Sequence, residues 1–191
     1  MSTADKVVDV VHKTATGTKA TRYLLTPLGF VAFLGIIVVF VVLSPVLDTF
    51  LGFPRFLPSR LFLWISLPVV VCGILLVMWS MFHFFKLKGT PVPFNPPPKL
   101  VTTGPYRYVR NPMLSGLSIL LFGFGGLLRS VSLTFICTPL FILLNILELK
   151  IIEEPELVKR LGEDYVKYRE RTPMFVPWLR VNANRRESVR H

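Results

Sequence analysis

The chain has 191 residues, 52% of them apolar, and 22 lysines and arginines against 11 aspartates and glutamates give a net charge of +11. No recognition helix or base-reading pattern accompanies the positive charge, which sets a nucleic-acid role aside. The 2 cysteines, Cys72 and Cys137, both fall inside apolar runs and read as small core residues rather than a disulfide, a metal-ligand pair or a nucleophile.

Residues 1–22 are polar and basic, with Lys6, Lys13, Lys19 and Arg22, and read as a segment preceding the membrane. Residues 24–47 carry no charge and are long enough to cross a hydrocarbon layer of about 30 Å as a helix. This run is longer than a signal-peptide core and is expected to stay as an anchor. Residues 44–59, rich in proline and aromatic rings, read as a connection lying at the interface. A second charge-free run covers 61–85, with Pro68 and Gly73 as interruptions that neighbouring helices would absorb. So small a chain holds too little protein to cover two such runs, and lipid must cover them.

Residues 89–100, GTPVPFNPPPKL, are too dense in proline for a normal helix and form either a rigid strap or a plain linker. Residues 104–112, GPYRYVRNP, then interrupt the apolar pattern. Pro112 suits the first turn of the next helix, because its missing amide hydrogen costs little there. That places Arg107 and Arg110 at a membrane boundary, beside Tyr106 and Tyr108. Arginine forms paired hydrogen bonds to a carboxylate or phosphate, and tyrosine joins a hydroxyl to a flat apolar face. The peptide is therefore either an interfacial anchor or half of a site for a charged, partly aromatic cofactor.

Two further apolar runs, 113–128 and 131–147, are divided only by Arg129 and Ser130 and read as a helical hairpin, the first being short for a span. Beyond them come Glu148, Glu153, Glu154 and Glu156. Glu153 and Glu154 cannot share one helical face, so one is free for a ligand while the other braces a basic residue. Glu156 with Arg160 reads as an ordinary surface pair. Tyr165 and Tyr168 line one side of a short helix that ends near Pro173, Pro177 and Trp178, and this tail reads as a lid or as a solvated amphipathic helix. The expected architecture is an all-α integral membrane protein of about four transmembrane helices, the last two a hairpin, with a C-terminal helical segment in the cytoplasm. Lysines and arginines collect at the termini and between the second and third runs, leaving Arg55, Arg60 and Arg129 opposite, which puts both termini in the cytoplasm by the positive-inside rule.

Residues 100–113, LVTTGPYRYVRNPM, followed by residues 153–177, EEPELVKRLGEDYVKYRERTPMFVP, resemble the isoprenylcysteine carboxyl methyltransferase and phospholipid methyltransferase superfamily. The resemblance covers about the C-terminal half. It implies an integral membrane enzyme that uses S-adenosylmethionine, with no metal, at an active site on the cytoplasmic side of the inner or cytoplasmic membrane. Gly104, Pro105 and Tyr106 match the glycine-containing part of the cofactor motif, Arg110, Asn111 and Pro112 its arginine-His/Asn-proline part, and Glu153 and Glu154 the paired glutamates. Tyr165, Tyr168 and Arg171 fall in the aromatic-basic tail. The resemblance makes Arg110, Glu153 and Arg171 the expected catalytic residues, and it divides the chain into residues 1–22, a two-span scaffold at 23–88 and a catalytic region at 89–191. The expected reaction moves a methyl group to a lipophilic acceptor, an isoprenylcysteine-type carboxylate first, a phospholipid amine or a small thiol as alternatives.

The chain departs from the family pattern at two positions. Asn111 stands where many relatives have histidine, and it cannot titrate as an acid or base near neutral pH. Leu114 stands in place of a tyrosine. Two other functions remain on the sequence: a haem protein using His83, with no second intramembrane histidine to pair with it, and a small transporter, with no charge deep in a span and no repeat.

Overall fold

The computed structural model describes residues 3–54, 59–87, 90, 96–97 and 99–177. Among them every regular element is a helix: α1 (Thr3–Ala15), α2 (Lys19–Leu51), α3 (Ser59–Lys86), α4 (Pro112–Leu128), α5 (Thr138–Glu148), α6 (Glu154–Leu161) and α7 (Glu163–Arg171). A 3-10 turn, Gly104–Arg107, precedes α4, and π-helical segments at Leu133–Cys137 and Leu149–Glu153 flank α5. Arg55, Lys88, Trp178 and the basic residues from Arg180 onward lie outside the described residues, as does most of the proline-rich 89–100 segment.

Three helical stretches are long and apolar enough to cross a membrane, Leu24–Leu51, Phe62–Lys86 and Leu133–Leu161, and Pro112–Leu128 is a shorter apolar helix. The protein is an all-α integral membrane protein. Its α4, with 17 residues, rises about 25 Å at 1.5 Å per residue and falls short of the hydrocarbon thickness, as the sequence suggests. The first span runs on as helix through Ser44 and Pro45 to Leu51, so the connection begins later than the expected residue 44. Residues 3–15, read only as a polar segment, form an amphipathic helix.

Helix α3 runs unbroken through Pro68 and Gly73. Gly73 serves packing: a Cβ there would stand 2.9 Å from the carbonyl oxygen of Gly116 and 2.9 Å from the amide of Leu120 on α4. Small residues let two membrane helices approach to backbone contact, where van der Waals packing has to replace the missing hydrophobic drive. Helix α2 joins through Phe33 and Phe40, whose rings meet Phe141 at 6.1 and 6.4 Å, over a buried cluster of Leu121, Leu133, Cys137 and Phe141.

Both π segments have the same local cause. Proline removes a donor and its ring strikes the carbonyl four residues earlier. Each π segment ends two residues before a proline, Pro139 in one case and Pro155 in the other, and the wider i→i+5 turn absorbs the clash. Helix therefore continues from the fourth apolar run through Leu161. The glutamates expected in a separate segment beyond the membrane instead ride on the extension of a membrane helix.

At the opposite end of the bundle, the carboxylate of Asp48 accepts the amide hydrogen of Ser132 at 2.7 Å, and Ser130 Oγ accepts that of Leu133 at 3.0 Å. Ser130 thus caps the start of the last long helix locally, and Asp48 caps it from α2. Arg129, in the left-handed region at φ +57°, makes the turn out of α4.

Candidate functional site

The interrupting peptide folds back against the end of α3. Gly104 has φ +61° and faces the His83 ring, which a Cβ at this position would strike. His83 is held in turn, its Nδ1–H donating to the Trp79 carbonyl at 2.9 Å. Pro105 and Tyr106 are buried, Tyr106 with its ring 5.2 Å from that of Phe84 in an edge arrangement. The Tyr106 carbonyl accepts the Tyr168 hydroxyl at 2.6 Å, while its own Oη, buried, has no partner among the described residues.

Four residues beyond Tyr106, the chain meets its own tail. Arg110 N–H donates to the Pro173 carbonyl at 2.8 Å, Asn111 N–H to that of Met174 at 3.1 Å, and Ser115 Oγ to that of Phe175 at 3.0 Å. The segment after α7 is thereby clipped against the start of α4 as far as Phe175. Trp178 is outside the described residues.

The Arg110 side chain is the hub. Its Nη1 donates to the carboxylate of Glu154, and at 3.4 Å to Tyr165 Oη, while Nε is buried without a partner among the described residues. The second oxygen of Glu154 lies 3.8 Å from Arg169 Nη1. Glu154 is thus the member of the pair that braces a basic residue. Glu153, one residue earlier and half-buried, has no hydrogen bond or ion pair to a described residue, and its charge is felt by Tyr106 and Tyr165. Glu148 sits one π turn before Glu153 and close enough to interact with it through space.

The three buried phenols are held neutral. Burial pushes Tyr106 far above the ordinary tyrosine range, with Tyr168 and Glu153 adding to it. Burial also raises Tyr168, helped by Tyr165. Tyr165 is pushed up to about 12 by burial and then by Glu154, against the opposing effect of Arg110. A neutral phenol is a hydrogen-bond donor, and Tyr106 has no described acceptor.

Of the residues singled out from sequence, Gly104, Pro105, Tyr106, Arg110, Asn111, Pro112, Glu153, Glu154, Tyr165 and Tyr168 collect at this end of the bundle. Asn111 precedes the first turn of α4 without a side-chain cap, and Pro112 is buried at its start. Arg171 stands apart: it is exposed, and its Nε donates to the Lys167 carbonyl at 3.0 Å, one turn earlier. Glu156 is no surface pair. It is 4% exposed and accepts Arg160 Nε at 3.0 Å, with His12 Nδ1 at 3.4 Å from the same oxygen. Arg160 also donates to the Pro97 carbonyl at 3.0 Å, which tethers the proline-rich segment at that point.

Sequence reasoning passed over His83 as a neighbour of Gly104, Ser115 as a tail ligand, and α1. A polar N-terminal segment gives no sign of its docking partner. The amphipathic spacing of Val8, Val11, His12 and Ala15 was the one available signal.

The buried donors at Tyr106 Oη and Arg110 Nε, with the unpaired Glu153 carboxylate beside them, offer opposite polarities within one cluster. Such a set fits a zwitterionic ligand carrying a cationic centre, and S-adenosylmethionine has that chemistry. A family model described as phospholipid methyltransferase matches residues 61–164. Comparison with curated proteins finds no match.

Proposed function

Because the chain belongs to the phospholipid methyltransferase family, within the superfamily of integral membrane methyltransferases, we propose that it transfers a methyl group from S-adenosylmethionine to a lipophilic acceptor held in the membrane. The observation that carries this reading is the Arg110–Glu154–Tyr165 constellation, closed by the 173–175 clip and flanked by the free Tyr106 hydroxyl and Glu153 carboxylate. Held there, S-adenosylmethionine would supply an electrophilic methyl group on its sulfonium to the acceptor's lone pair and would leave as the thioether.

The chain's own residues bind and orient. Arg110 Nε offers a donor to an anionic group of the cofactor, and Glu154, already engaged with Nη1, fixes the guanidinium plane. Tyr106 Oη donates to a cofactor oxygen or nitrogen. Glu153 accepts from an ammonium or a ribose hydroxyl. The tail clip excludes water from the start of α4. Asn111 takes no acid-base role. The basic bias of this end of the bundle supports a site facing the cytoplasm.

A lipid amine and an isoprenylcysteine-type carboxylate both suit this chemistry. A carboxylate attacks as it stands, and an amine loses its proton to water or to a glutamate after methylation.

Calorimetry of S-adenosylmethionine with the purified, lipid-supplied protein tests the cofactor. Saturable binding is expected, and its absence in a folded sample would remove the main support. Glu154→Gln should weaken binding at least about ten-fold, because it strands a buried guanidinium, and more than Glu156→Gln does; equal affinities would count against this placement. Labelled cofactor offered with extracted lipids, thiols and prenylcysteine analogues, followed by mass analysis of the product, identifies the acceptor. A methylated carboxylate as product would assign the isoprenylcysteine-type acceptor, a methylated amine the phospholipid one, and no lipophilic product at all would overturn the reading.

A further inference from the structure

Helix α1 lies outside the segment matched by the family model, yet its rotation about its own axis is fixed. Asp9 accepts Lys159 Nζ at 2.7 Å, His12 reaches Glu156 at 3.4 Å, and Ala15 is 4% exposed. These contacts turn positions 8, 11, 12 and 15 toward α6 and the Leu149–Glu153 segment. At about 100° per residue, positions 7, 10 and 14 then form one stripe on the flank of the exposed side, next to positions 6 and 13, which face directly outward. Val7 is 39% and Val10 64% exposed on it.

The borders of that stripe differ in charge. Lys6 and Lys13 run along one side of it, both exposed and neither in an ion pair with a described residue, while Asp5 and Asp9 lie on the far edge of the helix. The helix stops at Ala15, and α2 begins at Lys19 with its apolar span starting at Leu24. A short connection of this kind keeps α1 at the level where α2 enters the bilayer. Exposed valines bordered by lysines at that depth match a helix lying in the headgroup layer, with its apolar side down and its cations against lipid phosphates.

We propose that the outward stripe of α1, Val7 and Val10 bordered by Lys6 and Lys13, is a docking surface for anionic lipid headgroups in the leaflet from which α2 enters the membrane. The surface is independent of the methyl-transfer reading, because neither cofactor nor acceptor takes part in it. It extends that reading in one respect: the inner side of the same helix grips Lys159 and Glu156, so lipid seated on α1 steadies α6, which carries Glu154.

Hydrogen exchange of the full chain in bilayer discs tests it, comparing phosphatidylcholine with a phosphatidylcholine–phosphatidylglycerol mixture. Amides of residues 3–15 are expected to exchange roughly ten- to thirty-fold more slowly in the anionic discs, the contribution of two lysines at a charged surface. The Lys6→Gln/Lys13→Gln double variant should lose that difference. Val10→Asp should lose protection in both compositions, while residues 154–161 stay protected and report an intact fold. Equal exchange of α1 in the two bilayers, or a difference that survives in the double variant, would overturn the proposal. So would a slowing that follows protein concentration instead of lipid charge, which would assign the stripe to a second copy of the chain.

Discussion

Gly104 combines two demands that no other residue meets together: a backbone in the left-handed region and a ring where its side chain would stand. Gly104→Ala should destabilise the protein by about 1–2 kcal/mol from the backbone alone, with a further loss from the clash with His83. Pairing it with His83→Ala separates the two. The double variant, followed by thermal unfolding in detergent, should recover the clash and leave the backbone cost; full additivity of the two single losses would show that the ring and the glycine do not meet. The buried phenols make a second prediction. Tyr165 is held near 12 and Tyr106 and Tyr168 are raised as well, so the folded state keeps protons that the unfolded state loses from about pH 10 upward. Their contribution to stability is complete below pH 10 and disappears as pH climbs through the folded values. Absorbance near 295 nm should show these phenols ionising only with alkaline unfolding, and Tyr165→Phe should flatten the fall in stability between about pH 10 and 12. Both effects concern atoms whose neighbours come from distant parts of the chain, and that limits what sequence reveals at this scale. The identities of Arg110, Glu154, Tyr165 and Tyr168 stood out as a set. That Glu154 and not Glu153 takes the arginine depends on helix phase, and that Arg171 turns back to its own helix depends on where α7 docks.

Among the elements, the segment Leu149–Glu153 has the largest effect on the site, because it fixes the rotation of α6 relative to the membrane span. A π turn holds one residue more than the α turn it replaces. Deleting Ile151, which is 48% exposed, should therefore narrow the turn while α6 keeps its direction, at the cost of the Pro155 ring clash that the π turn absorbs. Helical content and Glu154–Arg110 contact are expected to survive. Deleting Leu144 within α5 should instead rotate everything after it by about 100° and part Glu154 from Arg110. Melting temperature and cofactor affinity measured on both deletions decide the matter: equal damage from the two would deny the segment its role as a phase adjuster. Apolar periodicity made the four apolar helices legible, together with the shortness of α4. It gave no account of the extension to Leu161, since Glu148–Glu156 reads as the end of a span when charge alone is counted. Pro139 and Pro155 were the visible clue. Their usual meaning is a break, and here the helix widens and continues.

Across the whole molecule, the site is assembled from both halves of the sequence and closed by the tail. Truncation before Thr172 removes the three carbonyls that accept from Arg110, Asn111 and Ser115, handing those donors to water at a net loss of about 0.5–1.5 kcal/mol for each hydrogen bond. The spans pack independently of those bonds, through the α3–α4 glycines and the Phe141 cluster. The truncated chain should accordingly insert and remain helical by circular dichroism, yet fail to bind cofactor. Retention of wild-type affinity would show that the clip is ornamental. The clip also orders events in time. Residues 173–175 are synthesised after every apolar helix, and until they pack the start of α4 has bare amides and Arg110 has an open approach. A growing chain can thus be threaded into the bilayer, surrounded by the lipids that resemble its own substrates, without a finished site among them; catalytic competence is withheld until the protein has been made.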